Sequence, residues 1–209
     1  ISDPDAAELT GIDYVTGTSD ALNTDFIMDM MFKQNPDVQK VGLLYSLSEA
    51  NSTKPIADAK AYLDAKGIEH VEKTGTTNDE VSLAADALIA AGCEAVFTPT
   101  DNTVMTAELA IFEKFQDAKV PQYCGADSFA LNGAFCGYGV NYEELGKATA
   151  DMVVDILVNG ADPATTPVQT MNNGIATINT DTAEKIGLDY SMFATMCEQV
   201  KETTTAQEF

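Results

Sequence analysis

AVFTPTDNTVMT, residues 95–106, is the stretch on which the reading of this chain turns. Ala95, Val96 and Phe97 form a short apolar run that ends in Thr98-Pro99-Thr100-Asp101-Asn102. Val104, Met105, Leu109, Ile111, Phe112 and Phe115 then follow at helical spacing. The pattern predicts a buried strand, a polar turn and a helix start. Pro99 cannot donate to a central ladder, so the strand stops there. Thr100, Asp101 and Asn102 are all good helix caps. The N–H groups of a helix start can hold an anion, and Asp101 beside them can hold a cation, as a zwitterion requires. The same residues also serve as plain caps, and spacing alone does not separate the two roles.

Strand and helix patterns alternate on both sides of this unit. Residues 40–45 (KVGLLY) form a continuous apolar run, as a strand buried on both faces does. Residues 68–73 and 120–124 read as further strands, and 12–15 and 135–140 as shorter ones. Helical spacing follows residues 22–33, 56–63, 81–91 and 142–158, with a short helix or loop at 129–134. Pro4 and early acids point to a short helix over 3–9. Residues 174–179 read as a strand, 181–186 as a short helix, and 190 onward as helical before an acidic tail. Alternation of this kind predicts an α/β fold, doubly wound, with a mostly parallel sheet. Ligands of such sheets sit at the carboxyl ends of the strands. Polar clusters fall at those ends: 46–52, 98–102 and 125–128.

Composition narrows the function. The chain has 209 residues, 45% of them hydrophobic, and a formal charge of −22. All eleven basic residues are Lys. This argues against nucleic acid, and it removes the guanidinium fork as a way to hold an anion. A carboxylate must therefore be held by backbone N–H groups, hydroxyls, amides or Lys. Cys93, Cys124, Cys136 and Cys197 form no CxxC, and with His70 as the lone His no metal site is expected. Cys124 and Cys136, in or beside apolar strand-like runs, are expected to be buried free thiols, with a disulfide left open. No P-loop, dinucleotide fingerprint or nucleophile elbow is present, and no cofactor is expected. No apolar run is long enough to cross a bilayer. The chain starts at Ile1 with no signal peptide, as expected of a processed or truncated product.

VGLLYSLSEANS (41–52), AVFTPTDNTV (95–104), VPQYCGADS (120–128) and GYGVNYEELGKATADMVVDIL (137–157) together resemble the substrate-binding lipoproteins of ABC transporters. The resemblance is to the branch with the type I periplasmic-binding-protein fold that is associated with aromatic amino acids. It implies two Rossmann-like lobes that close on a ligand. It also implies that a first-lobe segment of roughly a hundred residues belongs ahead of Ile1. On that basis residues 1–17 and 129–162 form a partial first lobe, and 18–128 and 163–209 the nearly complete second lobe. Strands 12–15 and 135–140 are then expected to lack sheet neighbours, and helix 142–158 to have an uncovered apolar face that promotes self-association.

The resemblance implies an extracytoplasmic, membrane-anchored solute-binding component that binds an amino acid and delivers it to an ABC permease. The alternatives are the sensing domain of a receptor or transcription regulator, and an enzyme using Asp101 or Asp127. Ser19, Asp20, Ser48, Glu49, Asn51, Ser52, Thr100, Asp101, Asn102, Asp127 and Ser128 match positions that face the cleft. Asp127 and Asp101 compete for the ligand ammonium, while Ser52, Asn51, Thr100 and nearby N–H groups take its carboxylate. Tyr45, Phe129, Tyr138 and Tyr142 are the candidates for an aromatic wall. Helix capping is the competing role for Ser19, Asp20, Ser48, Asn51 and Ser52.

Overall fold

A computed structural model describes residues 2–5, 7–171 and 174–206. The last residues of the acidic tail, 207–209, lie outside them. In chain order the strands are β1 (Thr18–Ser19), β2 (Lys40–Tyr45), β3 (Glu69–Thr74), β4 (Ala95–Thr98), β5 (Gln122–Cys124), β6 (Cys136–Val140), β7 (Gln169–Thr170), β8 (Gly174–Asn179) and β9 (Gln199–Thr203). The helices are α1 (Thr24–Gln34), α2 (Ala50–Lys66), α3 (Asn78–Ala90), α4 (Asn102–Ala118), α5 (Asp127–Leu131), α6 (Tyr142–Leu157) and α7 (Thr180–Ile186).

A seven-stranded sheet runs in the order β3-β2-β4-β5-β6-β8-β9. All neighbours are parallel except β6 and β8. Period-two alternation divides the core. Val41, Leu43, Ala95, Phe97 and Tyr123 face one side with Ile27, Met28, Met31 and Leu63 of α1 and α2. Leu44, Val96 and Cys124 face the other, with Leu88 of α3, Ile111 and Phe115 of α4 and Phe129 of α5. The architecture is a mostly parallel sheet between two helical layers, as the alternating sequence predicts.

Three expectations are corrected. Strand 135–140 does not lack neighbours: β6 sits inside the sheet, parallel to β5 and antiparallel to β8. Gly137 makes this position accessible, because a Cβ there would stand 2.1 Å from the carbonyl oxygen of Ala126. Residues 12–15 form no strand; they turn, and Tyr14 is exposed. The pairing in this part of the chain falls instead on β1, which joins β7. The described residues of 3–9 form turns rather than a helix, and Glu8 adopts a positive φ of 55°. The helix expected from residue 190 onward is corrected as well: a 3-10 turn at Ser191–Thr195 precedes β9, an edge strand.

The apolar face of α6 is uncovered, as expected, among the described residues. The helix contributes no buried residue, and Val153, Val154, Leu157 and Val158 are exposed. Its contacts run to β1, where Thr18 and Thr149 share a hydroxyl hydrogen bond of 2.7 Å. The four cysteines are buried free thiols.

Candidate functional site

Parallel pairing in register brings the carboxyl ends of β2, β4 and β5 to one edge: Leu43 is level with Phe97, and Thr98 with Cys124. The loops that leave those ends are tied together. Asp101 is 1% exposed. Its Oδ1 accepts from the Val104 N–H at 3.0 Å, which caps α4. Its Oδ2 accepts from the Ser46 N–H and the Ser52 hydroxyl, both at 2.7 Å. Asn51 donates to the Thr100 carbonyl, and the Thr100 hydroxyl donates to the Gly125 carbonyl at 3.1 Å. Asn102 donates to Glu49 at 3.2 Å, and the Ser46 and Ser48 hydroxyls share a bond of 2.8 Å. Gly125 is required by this closeness, since a Cβ there would meet the Thr100 nitrogen at 2.7 Å.

Asp101 therefore acts as a cap and a tie. Both its oxygens are taken by the protein, and Ser52 is buried with it. The carboxylate already sits on the start of α4, so a second anion there meets like charge. The start of α2 is different: Glu49 at its cap position makes no side-chain capping bond. Pro55 within α2 has no N–H to offer the Asn51 carbonyl four residues back, which sets one more polar group at this edge. The sequence reading passed over Pro55, although its place three residues after the Ser52 hydroxyl was the available signal.

The remaining candidates lie on β1 and the loop after it and at the starts of α5 and α6. Ser19 is buried; its hydroxyl donates to the Ser2 carbonyl at 3.1 Å and accepts from the Ala21 N–H at 3.2 Å. Asp20, Asn51 and Thr100 line a 40 Å³ cavity with Lys54 and Pro55. The Tyr142 hydroxyl lies 3.5 Å from Asp20 Oδ2. Burial, followed by the charges of Asp20 and Asp127, pushes the Tyr142 phenol up to about 12. Asp127 opens α5 and is exposed, with half-buried Ser128 next to it. Asp127 and Tyr142 also line a polar groove of 330 Å³ with Glu143, Gln199 and Lys201.

The aromatic candidates separate by burial. Phe129 and Tyr138 belong to the core, and Tyr138 packs on Phe26 with ring centroids 4.8 Å apart. The Tyr45 hydroxyl donates to Glu72 at 2.9 Å on the outer strand β3. Tyr142 remains, 47% exposed, beside both acids. Sequence spacing missed this grouping because Asp20, Asp127 and Tyr142 come from three separate crossings.

The chain is similar to a tyrosine-binding protein of Clostridioides difficile, with 27% identity over 174 residues, 83% of this chain. It spans half the length of that relative. Among solved structures, an ABC domain of Streptococcus pneumonia in complex with L-Trp matches with a TM-score of 0.82 and 28% identity. That match covers 96% of this chain and 71% of the other. The ligand-free, open structure of a substrate-binding protein with adhesive properties from Clostridium difficile matches with a TM-score of 0.81 and 28% identity. It covers 98% of this chain and 69% of that one. The family model for ABC transporter substrate binding proteins matches residues 7–197, and the chain belongs to that family.

Proposed function

We propose that this chain is the ligand-holding part of an extracytoplasmic solute-binding component of an ABC importer, with an aromatic amino acid as its ligand and an ABC permease as its partner. One observation carries the reading: Asp20, Asp127 and an exposed Tyr142 gather at the crossing end of a sheet edge whose loops are already tied together. Asp127, with Asp20 nearby, receives the ligand ammonium. The N–H groups that open α2 receive the carboxylate, and the Asn51 amide and Thr100 hydroxyl reach it by exchanging their bonds to the Thr100 and Gly125 carbonyls, so that no Arg is needed. Tyr142 offers a ring face to the side chain. Asp101, Ser52 and Ser19 position the loops. The relatives named for tyrosine and solved with L-Trp favour the same ligand class.

In this reading the segments ahead of β1, together with α6 and the loop leading to β7, belong to the partial first lobe, and β1, β7 and the end of β6 are its connections. In the 209-residue chain taken alone, the uncovered α6 brings two copies together. Membrane anchoring through a lipid belongs to the same proposal.

The test is titration calorimetry with tyrosine, tryptophan and phenylalanine. Asp127→Asn is expected to weaken binding about tenfold to a hundredfold, the worth of one charge-assisted hydrogen bond of ~1.5–3 kcal/mol. An unchanged Kd in the variant removes Asp127 from the site.

A further inference from the structure

Beneath the tied loops lies a buried polar group that ligand binding does not use. Glu108, on the inner face of α4, is 0% exposed. The Gln122 amide N–H on β5 donates to its Oε2 at 3.2 Å and also to the Thr98 hydroxyl at 3.1 Å. Glu108 Oε1 and Gln122 Oε1 are both buried acceptors without a donor.

We infer that Glu108 is held as a neutral carboxylic acid, paired reciprocally with the Gln122 amide, and that this pair is a proton-dependent clasp between α4 and the ends of β4 and β5. One proton on Oε1 makes it a donor toward the Gln122 carbonyl, while the Gln122 N–H group serves Oε2. Both orphaned oxygens are then satisfied at once. An ionised Glu108 leaves a buried charge uncompensated.

The surroundings support this. Among the described residues no cation faces Glu108. The inner face of α3 offers Val81, Ala84, Ala85 and Leu88; α5 offers Phe129 and β2 offers Leu44. Where α4 meets α7, the contact is the neutral pair Gln116 and Thr182. The cations of α4 and α7 are drawn to outer edges, Lys114 to Asp86 and Lys185 to Asp117, Lys40 of β2 pairs with Glu69, and the remaining charged groups of α3, α4, α5 and α7 are acids. The titratable neighbour on β5 is Cys124, whose thiol is itself pushed well up by burial. Burial likewise pushes the Glu108 carboxyl well up, opposed by the Gln122 hydrogen bond.

The clasp works in one direction. Above the unfolded carboxyl's pKa of ~4.3 the folded chain keeps a proton that the unfolded chain has released. Folding is therefore favoured most at low pH, and the advantage is lost as pH rises through the folded pKa. Loss of the clasp frees Gln122 and Thr98, and Thr98 leads directly into the Pro99–Asp101 turn.

The experiment is urea unfolding of the wild type and Glu108→Gln across pH 5–9. The ratio of the wild-type folding constant to that of the variant is expected to fall about tenfold per pH unit until Glu108 ionises. A ratio constant over the range overturns the proposal. Wild-type protein labelled with 13C at its glutamate carboxyls gives a second reading that needs no variant. One side-chain carboxyl is expected to keep its protonated chemical shift from pH 5 to 7, and titration of every glutamate in the usual range overturns the proposal.

Discussion

Among single residues, Asp101 shows how capping and site-building coincide. Its three hydrogen bonds join the start of α4 to the loop after β2 and the first turn of α2. A charged acceptor that is both cap and tie is worth more than a surface cap. Asp101→Ala is expected to cost about 2–4 kcal/mol, combining a lost cap with orphaned donors. Chemical denaturation measures this, and a loss under about 0.5 kcal/mol contradicts the role. The sequence placed Asp101 at the right turn and left open whether it caps or binds. Only the burial of its carboxylate separates the two, and burial depends on Ser46 and Ser52 arriving from another loop. Tyr142 is legible in the sequence as an aromatic candidate but not as the neighbour of two acids. Its sequence neighbours mark a helix start, and its relation to Asp20 and Asp127 exists only once three crossings meet.

Individual elements were legible in proportion to how fully they are buried. KVGLLY and AVFT announce themselves as β2 and β4 because both faces of each strand meet helices. The strand β9 did not, because QVKET lies at the sheet edge with Val200 as its one core-facing apolar residue. Residues 12–15 alternate like a strand but find no ladder among the described residues, and alternation without a partner edge makes no strand. β6 was recognised as a strand and misplaced, since sequence order does not give sheet order. Gly137 carried the missing information: it is the point where the turn into α5 lies against the sheet. Gly137→Ala forces a Cβ against the backbone carbonyl of Ala126, and a loss of at least about 1–3 kcal/mol is expected. Thermal or urea unfolding checks it, and a variant as stable as the wild type contradicts the packing.

At the level of the whole molecule, the contrast is between a well-covered sheet and an uncovered α6. Leu157 and Val158 are 79% and 76% exposed, at the end of a helix whose lysine, Lys147, pairs with Glu143 and Glu144 in its first turns. Exposed apolar residues grouped on one helix favour association. Sedimentation of this chain is expected to show self-association that grows with concentration and weakens in Leu157→Glu, with little change in the melting temperature, because no residue of α6 is buried. A monomer at all concentrations contradicts it. The net charge of −22 favours solubility over unlimited aggregation.

The central claim is that this sheet edge takes an aromatic amino acid. Thermal unfolding with tyrosine, tryptophan, phenylalanine, aliphatic amino acids, sugars and nucleosides tests it most directly, on this chain and on one extended at its amino end. At a hundred times its Kd a ligand adds ~2.7 kcal/mol, a rise of roughly 5–10 °C for a chain of this size. That rise is expected for the aromatic amino acids, largest in the extended chain, and none is expected for sugars or nucleosides. A flat response of the extended chain to every amino acid, or a rise with sugars instead, would contradict it.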